Sequence, residues 1–413
     1  MNCSLMTDAA APAARPHRGQ ELELTVDALA YGGNGVARMD GGYVVFVRDG
    51  FPGDKVRAVL TKRKRHYGEA RVLELLEKSS ERIDPVADHP GASWQVLPYE
   101  RQLEIKREQV DDALRRIGHL EGYALSDIVP AVEQWRYRNK LEFSFGSDPD
   151  GKLVCGFHAP GSWEEIVGVD DCMLQSERGN AMRHAVLEWA RENELGAYDR
   201  REQRGLLRNL VIREGRRTGE IQVRLVITDG ENESGLESLA DAVKADSLLV
   251  TRVADLGETT AGGDTELLAG GATIAEELSG LRFRIGGEAF FQTNTEMAEK
   301  LYAIAADAAA LEGWERVYDL FCGIGTIGLV LSARAGEVWG VEIVEEAIAD
   351  ALGNARANDV SNAQFFAGDV RTEMRALVER AGRPDVLVVD PPRAGLSQKV
   401  VRRVIEAGAK RIV

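Results

Sequence analysis

Cysteine is scarce in this chain: four among 413 residues (Cys3, Cys155, Cys172 and Cys322), with no close pair. That spacing excludes a disulfide framework and a cysteine-built zinc site. No apolar run approaches the roughly 20 residues that span a bilayer. Residues 1–20, rich in Ala and Pro, also lack the apolar stretch of a signal peptide. A frayed N-terminal tail, a cytoplasmic location and no membrane partner are therefore expected. Excess positive charge is missing too. Lys and Arg number 51 against 67 Asp and Glu, a net charge of −16, which argues against a surface coated for nucleic acid. What is present is globular material, 44% hydrophobic and 29% charged. Its length exceeds one ordinary core and implies two or three domains.

The distribution of charge says more than its sum. Seven Lys/Arg against the single Glu69 lie between Lys55 and Arg71, including the run Lys62, Arg63, Lys64 and Arg65. Between Arg200 and Arg217 seven Arg stand against Glu202 and Glu214. Two basic islands in an acidic chain are what a confined phosphate-binding track leaves in sequence. Either island alone also fits a solvated face.

Three regions follow the tail. Residues 21–80 alternate as short strands, Glu21–Leu29, Tyr43–Val47, Lys55–Leu60 and Glu69–Leu76, with glycine turns at 31–35, 40–42 and 52–54. This predicts a small closed β-barrel, of oligonucleotide-binding type if the run at 62–65 lies on or beside a strand. G-G-N-G-V-A-R, then V-V-F-V and F-P-G-D-K-V, resembles a TRAM domain, a small RNA-binding barrel. Residues 81–290 read as a mixed α+β region. Helices are expected at Tyr99–Leu120 and Glu177–Glu192, strands at Leu141–Phe145, Leu207–Arg213 and Ile221–Ile227, and a flexible loop at Gly262–Thr265. Arg136, Arg138, Lys140 and Arg208, some beside aromatics, are candidate RNA contacts. Residues 291–413 alternate strand and helix, which predicts a doubly wound, Rossmann-like α/β sheet. Arg411–Val413 reads as the opening of a fifth strand, so the domain is expected to be C-terminally incomplete.

V-Y-D-L-F-C-G-I-G-T-I-G at 317–328 is a buried strand running into a glycine turn that opens a helix. Gly323 and Gly325 let backbone N–H groups approach a nucleotide-like ligand. Gly323, Gly325 and Gly328 satisfy a dinucleotide fingerprint, with Glu342 following 17 residues after Gly325 as a ribose ligand. Gly368–Asp369 and Asp390–Pro391–Pro392, at the ends of the next strands, favour S-adenosylmethionine over NAD. That cofactor needs acceptors for ribose hydroxyls, adenine amino group and methionine ammonium along one sheet edge. Cys322, beside this turn, reads as a small buried filler.

With these motifs, residues 21–413 resemble the RNA uracil-5 methyltransferase family. The resemblance rests on the TRAM-like barrel and on Y-R-N-K-L-E-F at 137–143, D-D-C-M-L-Q at 170–175, F-F-Q-T-N at 290–294, D-L-F-C-G-I-G at 319–325 and D-P-P-R-A-G-L at 390–396. It implies a class I methyltransferase domain, S-adenosylmethionine as cofactor, and rRNA or tRNA as partner; the pattern sets no oligomeric state. Cofactor contacts carried over by motif fall on Gln292, Phe321, Glu342, Asp369 and Asp390, while Thr326 replaces a residue that is often Asn. The family chemistry adds a thiolate to uracil C6 so that C5 can take the methyl group, on a base flipped from its stack. The family's nucleophilic cysteine and its general-base glutamate are expected beyond Val413, so no catalytic residue is assigned within the chain. Many relatives bind an iron–sulfur cluster through four cysteines. Here His89 and Ala92 stand near two of those positions and only Cys172 remains, so no cluster and no metal are expected. The competing expectation is a non-catalytic RNA-binding protein that retains the cofactor fold.

Overall fold

A computed structural model describes residues 16–413 except 88, 231, 232, 234, 255, 256, 258 and 259. The described residues form two compact units, divided between Pro130 and Ala131.

The first unit is built on a six-stranded sheet: β1 (Glu21–Thr25), β2 (Ala28–Leu29), β3 (Gly35–Arg38), β4 (Val44–Arg48), β5 (Lys55–Arg63) and β6 (Tyr67–Glu77). The order is β1-β5-β6-β4-β3-β2, with β4 and β6 parallel and the other neighbours antiparallel. Alternation puts Leu22, Leu24, Val45, Val47, Val56, Ala58 and Leu60 into one core. The expected strand Glu21–Leu29 is broken after Thr25, and β3, for which no strand is expected, begins at Gly35, the last residue of the expected turn at 31–35, and ends before the turn at 40–42. Residues 19 and 20, expected in the tail, are bonded to β5 through Gly19 N–H to Leu60 C=O and Leu60 N–H to Gln20 C=O, and residues 1–15 of that expected tail lie outside the described residues. Helix α1 (Tyr99–Asp112), continued by a π-helical turn at Ala113–Ile117, closes a small cluster of Leu29, Phe51, Leu97 and Ile105.

The second unit opens with a seven-stranded sheet of β7 (Lys140–Ser147), β8 (Leu153–His158), β9 (Ile166–Gly168), β10 (Leu207–Glu214), β11 (Ile221–Thr228), β12 (Ser247–Val253) and β13 (Asp264–Gly270). Its order is β13-β12-β11-β10-β7-β8-β9. Helices α2 (Glu177–Glu192) and α3 (Leu236–Ala242) cover one face over Phe143, Leu210, Ile212, Val223, Leu225 and Val250. Ser176 caps α2, its Oγ accepting from Gly179 N–H at 2.9 Å. The expected loop at Gly262–Thr265 is partly strand: Asp264 and Thr265 pair with Arg252 and Thr251. A hairpin of β14 (Thr273–Leu278) and β15 (Leu281–Gly286) leads to α4 (Thr295–Ala309).

The rest alternates as read: β16 (Arg316–Leu320), α5 (Thr326–Ser332), β17 (Glu337–Glu342), α6 (Glu345–Ala357), β18 (Ala363–Ala367), α7 (Val370–Ala381), β19 (Val386–Val389), α8 (Gln398–Ala407) and β20 (Arg411–Ile412). All five strands are parallel in the order β18-β17-β16-β19-β20. The order reverses at β16, so the crevice for a ligand opens at the carboxyl ends of β16 and its neighbours. Among the described residues no helix is long and apolar enough to cross a membrane.

Candidate cofactor site and RNA-facing surfaces

Strand β16 ends in a turn that side chains resist. Phe321 holds φ +65°, a left-handed conformation that costs a non-glycine residue about 1 kcal/mol or more. Gly323 and Gly325 follow at +54° and +82°. A Cβ at Gly323 would meet nothing within 4 Å, whereas one at Gly325 would lie 2.9 Å from Phe365. The first glycine leaves space for a ligand and the second permits close packing beneath it. Thr326 opens α5, its Oγ1 3.2 Å from the Tyr302 hydroxyl on α4.

Carboxylates converge on this edge. Glu342, ending β17, accepts N–H groups from Gly323 (3.2 Å), Ile343 (2.8 Å) and Val344 (3.1 Å), which fixes it against the turn. Asp369, after β18, caps α7 through Arg371 N–H at 2.7 Å. Asp390, after β19, is exposed. Asp319 is a member that the sequence reading passed over. It is wholly buried, with one oxygen bonded to Gly328 N–H at 2.8 Å and Oδ1 without a partner. Burial pushes its carboxyl up to about 7, with Asp390 and Glu342 adding to the rise. Burial likewise lifts Tyr302 to about 12. The signal for Asp319 was there, one acid inside the apolar run Val317–Leu320. An open glycine turn, an orphaned buried oxygen and three further acids suit a cofactor with hydroxyls at one end and an ammonium at the other.

Gln292 lies on a strap, residues 287–294, that the seven-stranded sheet holds down. Asn139 Nδ2 donates to Gln292 C=O (2.8 Å) and Thr295 Oγ1 (2.9 Å), and Asn139 N–H donates to Thr293 C=O (2.9 Å). Arg213 donates to Ala289 C=O at 2.6 Å, and Arg224 pairs with Glu288 at 3.3 Å. Burial pulls Arg213 down to about 10, helped by Arg224. The motif at 137–143 thus supports the motif at 290–294.

The candidate RNA cations divide. Arg63, Lys64 and Arg65 are exposed where β5 turns into β6, and Lys62 there binds Glu69 at 2.7 Å. Arg208, by contrast, is buried, donates to Val253 C=O at 3.2 Å and stacks over Tyr198. Arg136 pairs with Asp171 at 2.7 Å, and Arg138 N–H bonds Leu174 C=O at 3.0 Å, so the motifs at 137–143 and 170–175 lie side by side. Lys140 pairs with Glu142 at 2.7 Å, and burial holds its ammonium below the usual value. Much of this set stabilises the fold. A basic cleft went unread: Arg371, Arg375, Lys399, Arg402 and Arg403 surround about 510 Å³ between α7 and α8. Spaced along two helices, these cations form no run in sequence.

Cys155, Cys172 and Cys322 are all buried, and burial raises each thiol, Cys155 to about 12. Cys322 packs among Ile324, Ala351 and Phe365. Cys3 lies outside the described residues. Among the described residues no group of three His, Cys, Asp or Glu is arranged to hold a metal ion.

A five-stranded parallel sheet with an acid-lined glycine turn, in a chain whose first unit is a small six-stranded β-sheet, defines a class I methyltransferase with an added RNA-binding domain. Residues 16–73 match the TRAM domain, and residues 98–412 match the family described as tRNA (Uracil-5-)-methyltransferase. The chain belongs to that family and is an S-adenosylmethionine-dependent RNA methyltransferase. It is 37% identical over 410 residues to an uncharacterised RNA methyltransferase of Bacteroides thetaiotaomicron, spanning 93% of this chain and 90% of that one. A relative in Halalkalibacterium halodurans is 36% identical over 406 residues, spanning 96% and 88%. Among solved structures, the Pyrococcus abyssi tRNA (uracil-54, C5)-methyltransferase in complex with S-adenosyl-L-homocysteine gives a TM-score of 0.77 at 26% identity, covering 95% of this chain and 88% of that one.

Proposed function

We propose that the protein methylates C5 of a uridine in tRNA or rRNA through a thiol adduct at C6, with the carboxyl edge of β16, β17, β18 and β19 as the cofactor site. The observation that carries this reading is the Phe321–Thr326 turn facing Glu342, in a chain of this family. S-adenosylmethionine, when bound, supplies the electrophilic methyl group. The open backbone at Gly323 admits it, Glu342 and Asp369 offer acceptors, and Asp390 places negative charge for its ammonium and sulfonium, with Asp319 buried beneath the turn. Gln292 and Thr326 complete the contacts.

Uracil C5 is a poor nucleophile. A thiolate adding to C6 makes C5 enolate-like; C5 takes the methyl group, a base removes the C5 proton, and the C6–S bond breaks. Cys155, Cys172 and Cys322 do not suit that step, because a buried thiol with a raised pKa supplies almost no thiolate. The reading therefore gives neither the thiol nor the base role to Cys155, Cys172 or Cys322. RNA is held by Arg63, Lys64 and Arg65 on the barrel and by the cations between α7 and α8. The homologous archaeal enzyme acts on tRNA, which favours tRNA over rRNA as the first substrate to try.

Calorimetric titration with S-adenosylmethionine tests the site. Asp390→Ala is expected to weaken binding more than about tenfold, the scale of one lost charge-assisted contact. Wild-type affinity in that variant would contradict the placement.

A further inference from the structure

A second cavity, of about 330 Å³, lies at the β8–β9 end of the seven-stranded sheet and shares no residue with the cofactor edge. Its size suits a small organic group. Phe145 and Ile166 form apolar parts of its lining, and Trp163, His158 and Tyr198 bring aromatic faces.

Two loops frame it. The β8–β9 turn is tied by Ala159 N–H to Glu165 C=O (2.8 Å) and Ser162 N–H to Ala159 C=O (2.9 Å), with Ser162 Oγ accepting from Glu164 and Glu165. This ordered turn presents Trp163 with 56% of its surface exposed. An indole held out on a hydrogen-bonded loop forgoes the burial that a large aromatic normally gains. Opposite it, Tyr198 and Asp199 are fixed by backbone bonds to Leu207 (2.8 Å) and Arg204 (2.7 Å). Arg200 lies over the Trp163 ring at 5.8 Å, and Arg208 over the Tyr198 ring at 4.7 Å.

Charge in the lining is balanced. Arg201 pairs with Glu164, and Asp199 accepts N–H groups from Arg201 (2.7 Å) and Glu202 (3.1 Å). A bare phosphate finds little net attraction among two arginines and two acids. A flat neutral ring with hydrogen-bonding edges finds aromatic faces, a stacked guanidinium and polar groups together. We infer that this cavity is a nucleobase pocket, which takes an unstacked base of the RNA substrate against Trp163 and Tyr198. The inference rests on the RNA-methyltransferase reading above and adds a contact apart from the methyl-transfer site. It also gives Arg200 and Arg201, the start of the basic island at Arg200–Arg217, a place in this lining, while Arg208 and Arg213 turn inward.

The test is fluorescence anisotropy with a labelled 12-nucleotide oligouridylate, with inorganic polyphosphate as a charge-only competitor. Trp163→Ala is expected to weaken oligouridylate binding about tenfold, the effect of one lost stacking platform. Polyphosphate binding and calorimetric affinity for S-adenosylmethionine should stay at wild-type values, and Trp163→Phe should recover most of the loss. Irradiation at 254 nm should crosslink oligouridylate on the wild-type protein to a peptide containing Trp163 or Tyr198. Equal oligouridylate affinity in Trp163→Ala, or equal losses for oligouridylate and polyphosphate, would overturn the pocket alone. Failure of the wild-type protein to bind oligouridylate or tRNA would overturn the RNA reading itself.

Discussion

Asp319 shows how one residue can be both structural and poised for charge. Its carboxyl is raised to about 7 by burial, whereas an unfolded chain releases that proton near pH 4. Between about pH 4 and pH 7 the folded state therefore keeps a proton that the unfolded state has lost, and stability falls as pH rises through that window. Asp319→Asn keeps an acceptor for Gly328 N–H and removes the ionisation. Its melting temperature relative to wild type should be higher at pH 8 than at pH 5, as read by scanning calorimetry; an equal difference at both values would mean the group ionises normally. Legibility varied at this scale. Glu342 and Asp390 stood out because each ends or follows an apolar strand. Arg208 misled, because a cation in a basic run reads as surface while β10 is buried on both faces.

At the scale of elements, the strap at 287–294 explains why a motif in the seven-stranded sheet accompanies the cofactor motif. Asn139 is buried, and its side chain satisfies Gln292 C=O and Thr295 Oγ1. Asn139→Ala leaves both groups without that partner and should cost about 2–4 kcal/mol of stability. It should also weaken cofactor binding several-fold, because Gln292 loses its anchor. Denaturant melts and calorimetry on one preparation check the pair, and unchanged cofactor affinity would limit Asn139 to folding. The first four strands of the parallel sheet were legible because each is a short apolar run followed by a helix of clear period. Strands β8, β9 and β12–β15 were not. β13 (D-T-E-L-L-A-G) is mostly exposed, and the short β9 carries no alternation. Their existence depends on partners distant in sequence, as in the pairing of β11 with β12.

Across the whole molecule, the proposed reading has an acidic chain hold RNA by concentrating cations. Replacing Arg63, Lys64 and Arg65 with Gln should weaken RNA binding and flatten the plot of log affinity against log salt by about 2, since each phosphate contact on a single strand contributes about 0.7. An unchanged slope would remove the barrel hairpin from the interface. Net charge alone pointed away from nucleic acid; the clusters on the barrel and between α7 and α8 pointed toward it, and only the first was visible as a run. The most direct measurement is nucleoside mass spectrometry, with site mapping, of tRNA and rRNA from cells with and without the gene. Deletion should remove 5-methyluridine at one position, restored by the wild-type gene and not by the Asp390→Ala gene. Unchanged 5-methyluridine at every mapped position in the deleted strain would contradict the assignment of uridine C5 as the target.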